Sequence, residues 1–180
     1  MWKGVKMTDL SFPIGRFNMS EDVSEDQRQR FIEDIAETPA RLRAVVSGLS
    51  PEQLDTPYRP SGWTVRQVVH HLPDSHLNSY IRFRLALTEE EPTIKSYHED
   101  KWAELYDART APIELSLTLL ESLHERWGLL LKSLTAADWV RTFRHPDMGT
   151  VPLGKSVGLY AWHGKHHVAH IASLRERMGW

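Results

Sequence analysis

Residues 156–178, SVGLYAWHGKHHVAHIASLRERM, hold four of the ten histidines of this 180-residue chain, at positions 163, 166, 167 and 170. At about 100° per residue the segment reads as a helix with an apolar stripe through Tyr160, Ile171, Leu174 and Met178. His163 and His167 fall inside that stripe, four apart and therefore side by side, one turn from each other. A helix offers two nitrogen ligands to one metal ion in this way. The alternative is a pair of core histidines hydrogen-bonded to backbone or carboxylates, since buried polar groups need partners. His166 points away, on the line of Ser173 and Arg177, and is expected in solvent. His170 stands at the stripe's edge. Gly179 suits the helix C-cap.

Three further long helices can be read upstream. Ser24-Glu-Asp-Gln27 is a capping box, and Phe31, Ile32, Ile35, Leu42, Val45, Val46 and Leu49 follow at helical spacing, with Pro39 expected to bend or interrupt the helix. Ser50-Pro51-Glu52-Gln53 starts a short connecting helix. Thr64-Val-Arg-Gln67 opens the second long helix, which extends to about Leu87 with a kink at Pro73. A polar stretch from Thr88 to Thr110 has room for a short helix around Trp102 and Leu105. The third long helix, leucine-rich, spans about Pro112 to Leu134. Trp139 to Leu153 reads as a loop or small hairpin. The architecture expected is all-α: one domain over residues 1–180, a four-helix bundle with a long decorated connection.

A hydrophobic content of 41% suffices for a packed core, and a net charge of −2 points to no nucleic-acid partner and no anionic membrane surface. No apolar run approaches the roughly 20 residues that span a bilayer, and MWKGVKMTDLSF lacks the apolar core of a signal peptide. The expected location is therefore the cytoplasm. With no cysteine, a transition-metal site must be built from His, Asp and Glu, which favours an open site over a closed structural one.

The second long helix should supply a third ligand from His70-His71-Leu72-Pro73-Asp74-Ser75-His76. His76 belongs to the apolar stripe of Val65, Val69, Leu72, Tyr80, Phe83 and Leu87. Thr64, Gln67, His71, Ser75, Asn78 and Arg82 form a polar line that faces either solvent or an internal polar cavity. Pattern alone does not choose among His70, His71 and His76.

Three segments carry a resemblance: LSFPIG (10–15), LDTPYRPSGWTVRQVVHHLPDSHLNSYIRF (54–83) and GLYAWHGKHHVAHIASLRERMGW (158–180). Together they resemble the YfiT-like branch of the DinB-like superfamily, described as metal-dependent hydrolases. The resemblance implies a four-helix bundle, a homodimer, and a metal held by three histidines, which match His71, His163 and His167 here. Where the resembling pattern has histidine after the first ligand of the last helix, this chain has Gly164-Lys165. Matching begins at Leu10, so residues 1–9 are expected to be a variable extension, or translation to begin at Met7.

Three imidazoles on a divalent zinc or nickel ion leave a position for water, whose pKa the ion lowers toward about 7. Hydrolysis of a small-molecule amide or ester would use a proton shuttle, for which Asp74 is the nearest carboxylate in sequence. Asp74 could equally orient a ligand imidazole or lie at the surface. Two other functions compete: an S-transferase activating a low-molecular-weight thiol, and a non-catalytic metal-binding bundle. His145-Pro146-Asp147 reads as a turn or a pocket rim. His98 and His124, with charged neighbours, are expected in solvent. Trp63 and Trp162 wall the pocket or pack the core, and Arg66 and Arg82 bind a substrate anion or pair with acids.

Overall fold

Four capping boxes set where helices begin. Ser24, Ser50, Thr64 and Thr135 each accept a backbone N–H three residues on, and Gln27, Gln53, Gln67 and Asp138 return the bond. The computed structural model describes residues 9–18 and 23–180, so the extension expected over residues 1–9 lies, save Asp9, outside the described residues. The order is α1 (Glu25–Val46), α2 (Pro51–Leu54), α3 (Val65–Thr88), α4 (Glu99–Trp102), α5 (Tyr106–Thr110), α6 (Ile113–Lys132), α7 (Ala136–Trp139), β1 (Thr142–His145), β2 (Gly149–Pro152) and α8 (Leu153–Met178). Helices α1, α3, α6 and α8 form a four-helix bundle, with α1 against α6 and α8, and α3 against the same two. Between α7 and α8 lies an antiparallel hairpin, Phe143 opposite Val151. No helix among the described residues is long and apolar enough to cross a membrane.

Several expectations are corrected. Pro39 does not interrupt α1, and α3 is likewise continuous through Pro73, where a kink was expected; each proline removes one i→i−4 bond, and the remaining turns stay helical. The connection from Thr88 to Thr110 carries two short helices rather than one, and α7 is an added turn. The last helix starts at Leu153 instead of Ser156, because β2 runs straight into it through Pro152, whose fixed φ suits a helix entry. Met178 is exposed rather than part of the buried stripe, as the last turn projects past the core.

Two apolar cores fill the bundle. One gathers Ile35, Phe83, Trp127 and Tyr160, and the other Leu42, Leu72, Leu120 and Ile171. On each long helix the residues between them are polar: Thr38 on α1, His76 on α3, His124 on α6, His163 and His167 on α8. A layer of imidazoles thus crosses the bundle.

Where α8 crosses α1, Gly164 faces Thr38. A Cβ on Gly164 would meet Thr38 Oγ1 at 2.6 Å and Cγ2 at 2.8 Å, so the departure from histidine here matches the close approach of the two helices. One position on, Lys165 Nζ reaches Asp34 Oδ2 of α1 at 2.6 Å. Replacing Gly164→Ala is expected to destabilise the fold by about 1–3 kcal/mol through overpacking, and adding Thr38→Ala should recover part of that loss. Denaturant unfolding of the single and double variants checks this; a neutral Gly164→Ala would contradict it.

Candidate metal centre

Helix α3 presents His71, and α8 presents His163 and His167 from successive turns. One ring nitrogen of each lies within 4.8 Å of the other two. The Nε2 atoms of His71 and His163 are 3.2 Å apart. Two nitrogen ligands on a tetrahedral zinc at 2.0–2.1 Å stand about 3.3–3.4 Å from each other, so the spacing fits a shared ion. Burial pushes His71 down to about 4, and pushes His163 and His167 well below the ordinary imidazole value. Neutral rings are the form that ligates. The chemistry of the donor set therefore fits zinc or nickel.

An open cleft of about 580 Å³ exposes these nitrogens. Its walls are aromatic: Phe12, Tyr58, Trp63 and Trp162, with Trp63 packed on His71 at 4.7 Å between ring centres. Both tryptophans flagged in the sequence thus wall the cleft. His166, expected in solvent, is buried: it stacks on Trp162 at 4.3 Å and meets Phe12 at 5.7 Å. The N-terminal segment covers that side of α8, a non-local contact that periodicity does not report. His170 is also buried, stacked on Tyr58 at 4.0 Å, with Nε2 donating to Ser11 O at 3.2 Å.

His124, likewise expected in solvent, is 2% exposed and sits in the core. Its Nδ1 is 2.6 Å from Ile35 O and its Nε2 2.8 Å from His76 Nδ1. The signal was its place in the frame Leu117, Leu120, His124, Trp127, Leu131, which is the inward seam of α6. The three candidates on α3 separate cleanly. His70 is used by Ser116 Oγ at 2.7 Å and Ala111 O at 3.1 Å, His76 faces the core, and His71 opens on the cleft. The polar line of α3 faces inward, with Gln67, His71, Ser75 and Arg82 all buried.

Asp74 is partly buried, its pKa raised to about 6 by burial and then by Asp107; it is not among the residues lining the cleft. Glu99, at the start of α4, does line it, and also lines an adjoining cavity of about 310 Å³. Glu99 is exposed at the cleft wall, and partial desolvation there, then Asp100, holds it above the usual carboxylate value. Nothing in the sequence marked Glu99 out. Arg66 pairs with Asp55 at 2.7 Å. Arg82 is 9% exposed and makes no ion pair among the described residues; it lines the smaller cavity and reaches Tyr160 Oη at 3.4 Å. His145 and Asp147 form the hairpin turn and also rim that cavity. His98 is exposed.

A four-helix bundle that turns three neutral imidazoles into one aromatic cleft is the class that fold and site define, and the family agrees with it: residues 34–171 match the DinB superfamily, of which the chain is a member. A protein of Bacillus cereus (strain AH820), named "Putative metal-dependent hydrolase", is 55% identical over 97% of this chain and 100% of its own length. One of Bacillus mycoides (strain KBAB4) with the same description is 54% identical over the same shares. The solved structure of YfiT from Bacillus subtilis, described as "a probable metal-dependent hydrolase with an unusual four-helix bundle topology", superposes with a TM-score of 0.93 at 52% identity, covering 95% of this chain and 98% of that one.

The buried imidazoles set an acid limit. His71 and His124 are each held near 4 by burial, whereas in the unfolded chain they titrate near 6.5. Stability of the metal-free protein is then fully present above pH 6.5 and falls toward pH 4, as only the unfolded chain takes up those protons. Asp74, with its raised pKa, acts in the opposite sense and offsets one group. Denaturant midpoints from pH 8 to 4 should fall below 6.5 by a few kcal/mol of stability; a level profile would contradict neutral buried rings.

Proposed function

We propose that this chain is a metal-dependent hydrolase of small molecules, working at one zinc or nickel ion per chain held by His71, His163 and His167. The observation that carries the reading is the convergence of three neutral imidazole nitrogens on an aromatic-walled cleft of ligand size. When bound, such an ion supplies a Lewis acid that brings the pKa of water toward about 7. The chain's own residues do the rest. Trp63, Trp162 and Tyr58 narrow the cleft and limit bulk water. Glu99, on the cleft wall with a raised pKa, accepts the nucleophile's proton and returns it to the leaving group. Asp74 has a pKa suited to the same task, but the lining of the cleft favours Glu99. Arg82, a buried cation without a carboxylate, suits an anionic group at the far end of a substrate. Leu77 and Ile81 on α3, and Leu115 and Leu119 on α6, are exposed pairs one turn apart and supply an apolar face for a homodimer.

Zinc-loaded protein is expected to hydrolyse p-nitrophenyl esters without added thiol, and His71→Ala or chelation should abolish turnover. Glu99→Gln should keep its metal and lose about 100-fold in kcat. Turnover that survives metal removal, or that requires an added thiol and an electrophile, would overturn the hydrolase reading.

A further inference from the structure

Proline has no N–H, so Pro39 leaves the Ile35 carbonyl of α1 without its helical donor. His124 of α6 takes that place, with Nδ1 at 2.6 Å. A carbonyl oxygen only accepts, so His124 carries its hydrogen on Nδ1, and its neutral ring leaves Nε2 as an acceptor. His76 Nδ1, at 2.8 Å, is then the donor to it. His76 Nε2 is left as an acceptor, and His163 Nδ1 donates to it at 3.1 Å. His163 is thereby held with a bare Nε2, the atom that lies 3.2 Å from His71 Nε2. Reversing any one bond in this relay would set two lone pairs facing each other at the next link, and reversing them all would do so at the Ile35 carbonyl.

A shorter series runs along α8. His170 Nε2 donates to Ser11 O at 3.2 Å, so His170 Nδ1 accepts, and His167 Nδ1 is the donor at 3.4 Å. His167 also ends with a bare Nε2. Two separate anchors lead to the same outcome at neighbouring ligands.

We propose that His76, His124 and His170 are positioning residues: two imidazole relays, anchored on the Ile35 and Ser11 carbonyls, hold His163 and His167 as Nδ1–H tautomers with their Nε2 lone pairs at the metal position. The core relay begins on a backbone carbonyl inside the bundle, so it orients the ligand and does not conduct protons to solvent. Partners of this kind fix the tautomer and ring orientation of a metal-bound histidine, and here the partner is another imidazole instead of a carboxylate. The role toward metal rests on the three-histidine reading above; the tautomers themselves do not.

The test has two arms. In the metal-free wild type, long-range ¹H–¹⁵N correlation spectra should show His163, His167, His76 and His124 all protonated on Nδ1, and His170 on Nε2. Protonation of His163 on Nε2 would overturn the core relay. In the second arm, zinc affinity is measured by chelator competition. His124→Phe and His170→Phe should each bind zinc about 10–100-fold more weakly, with His98→Ala unchanged. Folded variants with wild-type affinity would overturn the proposal. Should His124→Phe fail to fold, Pro39→Ala replaces it: it restores an N–H that competes for the Ile35 carbonyl, and should raise thermal stability while weakening zinc binding a few-fold. Affinity that is unchanged, or that rises with stability, would speak for a packing role alone. A wild type that binds no zinc would sink the metal reading, while the spectra still decide the relay.

Discussion

A layer of neutral imidazoles between two apolar cores is the constraint on which this structure depends. His76 and His124 are buried against Trp127, with Tyr160 edge-on to His76, and their ring nitrogens are satisfied within the protein. Their hydrogen bonds go to each other, to His163 and to one carbonyl released by Pro39. Leaving any one unpaired would cost about 1–3 kcal/mol, so the register of α1, α3, α6 and α8 is tied together at this level. Leucine in the same seam would pack as well and specify less.

The same constraint orders the face that meets solvent. Because the rings behind them are fixed, His163 and His167 turn a defined edge toward His71. The N-terminal segment closes the side of the cleft through Ser11 and Phe12, and α4 brings Glu99 over from the long connection. The cleft is thus completed from the N-terminal segment and the long connection, while the imidazole nitrogens sit on the long helices. Belonging to the DinB superfamily accounts for the bundle; the chemistry is argued from the cleft.

Much of this was legible in the chain. Capping boxes located two of the four long helices, α1 and α3, to the residue, and the stripe on α8 turned His163 and His167 inward. His71 was not separable from His70 and His76 by pattern, because all three are buried, each for a different purpose: one bonded to Ser116 and Ala111, one on the cleft, one in the core. Resemblance chose among them, and the geometry is consistent with that choice. His124 stood in the heptad frame of α6, but its charged neighbours Glu125 and Arg126 outweighed the frame. His166, Glu99 and the Arg82 cavity depend on contacts between segments far apart in sequence, which local pattern does not carry.

The proposed chemistry requires that His71, His163 and His167 hold one ion together. X-ray absorption at the zinc edge, on protein purified without a metal column and loaded with one equivalent, tests it most directly. One tightly held zinc per chain, with three imidazole nitrogens at about 2.0–2.1 Å and one oxygen completing the shell, is the expected result. Loosely held metal, a shell mostly of oxygen, or a spectrum unchanged in His163→Ala would contradict it.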